Sequence, residues 1–274
     1  MEITQENRPE NMATRDILSL LQWYVESGVD ETIDETPLDW FTLSEQPTQK
    51  PLPAKSQQLP QLRAATPMVS VEEIARQAEE LAASCDSLTA LKEAIEGFNG
   101  CSLKKTAATT VFSDGNPDSG IMLIGEAPGV EEDRQGKAFA GESGQMLDRM
   151  FKAIGLEREN DFYLTNILPW RPLGNRIPTA EEIAICLPFI KRHMALFNPK
   201  IIILLGGIAA NCLLKSNLGI ARLRGKWLTY DLGSDVIPVR ALFHPAYLLK
   251  QPKAKGDAWR DLLEIKAKLE EQSV

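Results

Sequence analysis

Between residues 121 and 243 the chain alternates short, wholly apolar runs with longer stretches in which apolar positions recur every three or four residues. The runs at 121–125 (IMLIG), 162–168 (FYLTNIL), 201–205 (IIILL) and about 237–243 (IPVRALF) predict strands. They show no apolar/polar alternation, so both faces of each are expected to be buried, as in a parallel sheet covered by helices. Pro238 restricts the last run to a sheet edge or a strand start. The intervening periodic stretches predict helices at about 143–154, 179–197 and 207–217, and another follows at about 256–270. In the first of these, Met146, Leu147, Met150, Phe151 and Ile154 share a face and Gly155 ends it. Thr179-x-x-Glu182 opens the second as a capping box. Upstream, Ser70-x-x-Glu73 opens a helix to about Ser84, and a second runs over about 87–97. A separate helix is expected at 14–28, and the Pro- and Gln-rich stretch 45–66 reads as a flexible linker. The expected architecture is an α/β catalytic domain over 67–274, three layers around a four-stranded, mostly parallel sheet, preceded by a flexible N-terminal arm over 1–66.

Composition sharpens this reading in two places. The chain has 274 residues, 43% of them hydrophobic, and a net charge of −8. Residues 1–66 carry −6 of that and the remainder only −2, so a local basic face on the second part is compatible with the acidic total. The polar, acidic start lacks the features of a signal peptide, and a cytoplasmic protein is expected. Cys85, Cys101, Cys186 and Cys212 show no CxxC spacing and read as reduced, buried thiols. His193, on a helix with no strand end nearby, reads as a surface residue.

In an open parallel sheet, ligands bind beyond the carboxyl ends of the strands. That rule selects four loops: 125–141, 166–176, 206–208 and 244–250. Phosphate-loop readings fail there. Gly129 and Gly136 are separated by six residues, Ala138 follows Lys137, and no GxGxxG follows the first strand. What the loops do carry is Glu126, Phe139, Asn166 and His244. An aromatic, an amide, an imidazole and a carboxylate suit recognition of a planar base, by stacking, edge pairing, oxyanion stabilisation and action on water or a sugar cation.

GEAPGVEEDRQGKAFAGESGQMLDRM, TNILPWRPLGNRIPTAEEIAIC and FHPAYLL, in that order, resemble the motifs of the family-four uracil-DNA glycosylases over about residues 98–270. The resemblance implies a three-layer α/β/α fold and hydrolysis of the N-glycosidic bond of uracil in DNA, leaving an abasic site. It further implies that Phe139 stacks on the flipped uracil, Asn166 reads its polar edge, and His244 stabilises the leaving anion. Glu126 acts on water or the sugar cation, with Asp133 in reserve, while Gly125 and Ala127 line the base site. Two other functions stay open: a catalytically weak damaged-DNA-binding module, and a hydrolase for another planar base or nucleoside.

Most members of that family hold an iron–sulfur cluster on four cysteines. Here only Cys101 and Cys186 match, with Phe98 and Trp170 at the other two positions, so no cofactor or metal is expected. DNA contacts are expected from Arg171, Arg176, Arg224 and Lys250, among other basic residues of the strand-end loops (Arg222, Lys226, Lys253, Lys255 and Arg260). Tyr247 and Leu248 are expected to fill the gap left by an extruded base. The expected partners are uracil-containing DNA and a protein that binds the N-terminal helix; a monomer is expected, with no membrane contact.

Overall fold

The structure, a computed structural model, describes residues 70–233 and 235–272. The helix expected at 14–28 and the linker at 45–66 lie outside them. Six strands form one mixed sheet: β1 (Asp114–Gly115), β2 (Ile121–Gly125), β3 (Tyr163–Asn166), β4 (Ile201–Leu205), β5 (Trp227–Asp231) and β6 (Val236–Leu242), in the order β1-β3-β2-β4-β6-β5. The four central strands are the expected ones, and they pair in parallel. The sequence reading missed the two antiparallel edges, β1 and β5. A two-residue strand has no periodicity to read, and β5 is half exposed along its length. Pro238 is accommodated because β6 pairs with β4 only from Val239 onward, so its missing N–H removes no bond from that ladder.

The helices in chain order are α1 (Val71–Ala83), α2 (Leu88–Gly97), α3 (Val130–Gln135), α4 (Glu142–Lys152), α5 (Arg158–Asp161), α6 (Ala180–Phe197), α7 (Gly207–Leu214), α8 (Ile220–Leu223), α9 (Pro245–Lys250) and α10 (Lys255–Gln272). Strand pleating divides the apolar residues between two cores. Met122, Ile124, Ile202 and Leu204 face one way, against Leu91, Ile95, Ile190 and Met194. Ile121, Leu123, Ile201, Ile203 and Leu205 face the other way, against Leu147, Phe151, Leu262 and Ile265. Each fully buried aliphatic side chain contributes roughly 1.5–3 kcal/mol, so the doubly covered strands anchor the fold. None of the described helices is long and apolar enough to cross a membrane.

Local signals set the helix ends. Ser70 caps α1 through the Glu73 N–H, and Thr179 and Glu182 cap α6 reciprocally. Along α6 the residues Cys186, Phe189, Ile190, His193, Met194 and Phe197 are all buried. This corrects the surface reading of His193. Its ring stacks on Phe112 at 4.3 Å, its Nε2 lies 3.0 Å from the Tyr163 hydroxyl, and burial pushes its pKa down to about 3. Its spacing from the apolar residues at 186, 189, 190, 194 and 197 carried that information.

Candidate active site

The carboxyl ends of β2, β3 and β6 open onto a cavity of about 440 Å³, in the range of small-molecule sites. Glu126, Ala127, Phe139, Asn166 and His244 line it together. Gly125 lies beneath: a Cβ there would come within 2.4 Å of the Asn166 Oδ1 and 2.6 Å of the Phe139 ring. The last residue of β2 therefore leaves room for both side chains.

His244 precedes α9, and its Nδ1 accepts the Ala246 N–H at 3.2 Å. Burial holds its pKa down at about 4, partly opposed by the Glu132 charge. At neutral pH the ring is thus uncharged. With Nδ1 an acceptor, the single proton sits on Nε2 as a donor. Its ring lies 5.8 Å from that of Phe139, the planes inclined by 29°. Asn166 is buried, and none of the hydrogen bonds among the described residues involves its side-chain amide. Glu126 is likewise without a donor among the described residues, and burial raises its pKa above the ordinary carboxylate value.

Asp133 is elsewhere. Its Oδ1 accepts the Ala108 and Thr109 N–H groups at 2.9 and 3.1 Å, tying the 107–110 loop to α3. Between the two carboxylates proposed for the water, only Glu126 reaches the cavity.

The loop from Gly129 to Gly141 depends on two residues that sequence reasoning missed. Glu132 is buried and lines the cavity, accepting the Gly129 N–H at 3.0 Å and the Gly141 N–H at 2.8 Å. Its spacing from Gly129, three residues into the following turn, was a legible sign. Arg158, 19 residues beyond Phe139, donates to the Phe139 carbonyl; no spacing rule announces so distant a contact.

The expected DNA-contacting residues divide. Arg176 and Lys250 line the cavity mouth. Arg176 also forms a two-point pair with Glu182 at 2.6 and 2.9 Å, and Arg171 bonds the Asn175 Oδ1 at 2.6 Å. Tyr247 is 45% exposed. Two expectations are corrected. Leu248 is fully buried, because the short α9 turns it into the core while Tyr247 and Leu249 face out. Arg224 is occupied by Asp261 at 2.8 Å and by the Asp257 carbonyl at 2.7 Å, with its guanidinium over the Phe243 ring.

All four cysteines are free thiols. Cys101 and Cys186 are buried and adjacent, and their mutual interaction lowers the first thiol's pKa and raises the second's. Phe98 packs edge-on against Phe189 at 5.1 Å, and Trp170 is buried with its Nε1 donating to Thr110. Among the described residues no third Cys, His, Asp or Glu joins the two thiols, which thus supply half of a Cys₄ set.

A family model of the uracil DNA glycosylase superfamily matches residues 112–263. The type-4 uracil-DNA glycosylase of Archaeoglobus fulgidus is 34% identical over 66% of this chain and 92% of its own length. That of Pyrobaculum aerophilum is 33% identical over 64% and 91%, and that of Saccharolobus solfataricus 34% identical over 69% and 89%. These relatives overturn the expectation that no cofactor belongs to the protein. The type-4 enzymes are iron–sulfur proteins, and two of the thiol positions stand intact and adjacent here. From the match across the sheet, and from relatives covered over about nine-tenths of their length, the chain belongs to the uracil-DNA glycosylase superfamily, within its type-4-like branch.

Proposed function

We propose that the protein removes uracil from DNA by hydrolysing the bond between uracil N1 and the deoxyribose C1′. The observation that carries this reading is the convergence of Glu126, Phe139, Asn166 and a neutral His244 on one cavity. A base inside a duplex is out of reach, so the uridine is extruded into the cavity. The Phe139 face stacks on the ring. The Asn166 amide, free of protein partners, pairs with the uracil edge by donating to a carbonyl and accepting from an N–H. As the C1′–N1 bond breaks, its electron pair passes to uracil and spreads onto the ring oxygens. The His244 Nε2–H donates to the oxygen where this charge collects. A neutral donor is suited to that task, because it stabilises the anion without surrendering its proton.

Cleavage leaves positive charge on the sugar. The Glu126 carboxylate faces that charge and orients a water toward C1′. The water oxygen bonds to C1′, and its proton passes to Glu126, whose pKa burial raises, making the carboxylate a stronger base than an exposed one. Arg171, Arg176 and Lys250 contact phosphates at the mouth, and Tyr247 with Leu249 occupies the space vacated by the base. The protein acts as a monomer on uracil-containing DNA, and the arm over 1–66 engages a protein partner rather than DNA. Incubation with a uracil-containing oligonucleotide, followed by alkaline cleavage, tests the reading. Strand breaks confined to the uracil position support it; an intact strand bound with uracil-dependent affinity would favour a damage-binding module.

A further inference from the structure

We propose that Arg158 is a positioning residue of the base pocket, holding the Phe139 backbone in the conformation that keeps the ring over the bound base. The inference rests on the uracil-pocket reading above and adds a residue to it.

Phe139 has φ +53°, in the left-handed region. For a residue with a side chain this conformation is strained, and it persists only where surroundings enforce it. Relaxation to the usual negative φ would swing the Cα–Cβ bond by more than about 100° and carry the ring out of the cavity. Two contacts oppose that. On one side, a Cβ on Gly144 would lie 1.6 Å from the Phe139 carbonyl oxygen, so only glycine lets α4 pass so close to that oxygen. On the other side stands Arg158. Its Nη2 donates to the Phe139 carbonyl at 3.0 Å and its Nη1 to the Ala138 carbonyl at 3.1 Å.

The guanidinium itself is held. Asp148 on α4 accepts from Nε at 2.8 Å, and Asp114 on β1 accepts from Nη1 at 2.8 Å. The arginine side chain is only 11% exposed. Two carboxylates therefore fix the plane and balance the charge, and the remaining donors point at two consecutive carbonyls. Lysine, with a compact ammonium, cannot serve four acceptors in that planar arrangement. Arg158, Asp114 and Asp148 are not among the residues that line the cavity, so Arg158 acts through Phe139.

The test is a double-mutant cycle on single-turnover uracil release, with Arg158→Lys and Phe139→Ala alone and combined. Wild-type release comes first: its absence would sink the pocket reading itself, independently of Arg158. Given wild-type activity, Arg158→Lys is expected to slow release about 10- to 50-fold at saturating protein while leaving DNA affinity within about two-fold. In the Phe139→Ala background the same change is expected to have less than about a two-fold effect. Should the losses multiply, Arg158 acts through general stability and the inference is overturned. If Arg158→Lys does not fold, Asp114→Asn takes its place in the cycle, since it loosens the guanidinium without removing it. Its loss must likewise vanish in the Phe139→Ala background, and persistence there would overturn the inference.

Discussion

The buried Asn166 and the half-buried His244 both line the cavity with donors that no protein group uses among the described residues. Asn166→Ala and His244→Ala are each expected to slow single-turnover uracil release by two orders of magnitude or more, with the unfolding midpoint changed little. In the proposed mechanism Glu126 sets the acid side of the reaction. Burial raises its pKa, so the carboxylate is lost at a higher pH than an exposed glutamate would be. The release rate should therefore fall as pH drops through that raised value, and Glu126→Gln should be slow but free of this acid limb; a pH–rate profile of both proteins checks it. Three of these residues were legible as strand-end loop residues of suitable chemistry. Glu132 was missed although its spacing from Gly129 was legible, and Arg158 was not legible, because it acts on backbone groups of a loop whose conformation only the fold supplies.

At the scale of elements, α9 gives one short helix two opposite expectations. Leu248 is buried without remainder, so Leu248→Ala should destabilise the protein by about 2–5 kcal/mol, read from denaturant unfolding. Tyr247→Ala, at an exposed position, should leave stability nearly unchanged and reduce excision from duplex more than from single-stranded DNA. α6 carries a pH dependence. His193 has a folded pKa of about 3, well below the ordinary value near 6.5. The unfolded chain thus binds the proton first, and stability is lost as pH falls from about 6.5 toward 3, at up to about 1.4 kcal/mol per pH unit. His193→Gln keeps a group able to meet the Tyr163 hydroxyl but does not titrate, and should flatten that slope in denaturation series between pH 7 and 4. The sequence showed the central strands and the main helices because their burial is continuous or periodic. β1 and the single-turn helices escaped because they hold too few positions to show a period, and β5 because it is half exposed along its length.

For the whole molecule, the three-layer arrangement was readable because β2 and β4 are buried on both faces, which only helices on both sides can achieve. The sequence alone did not show that Arg224 is tied to α10, nor that Cys101 and Cys186 meet; both contacts join segments far apart in the chain. The cavity and both cores are built from the described residues, and the match to the superfamily begins at residue 112. The acidic stretch 1–66 has little to offer phosphates. Its deletion is expected to leave excision from short oligonucleotides within a few-fold, with DNA affinity equal or slightly higher at low salt; unfolding of the truncated protein would place the domain boundary elsewhere.

The central claim is that one cavity both recognises uracil and breaks its glycosidic bond. It is tested most directly by quantifying free uracil released under single-turnover conditions from one uracil-containing duplex, by wild type, Asn166→Ala and His244→Ala. The account predicts stoichiometric free uracil from the wild type, and rates at least about a hundred-fold lower from both variants despite retained DNA binding. Wild-type protein that binds the duplex and releases no uracil, or variants that release it at the wild-type rate, would contradict it.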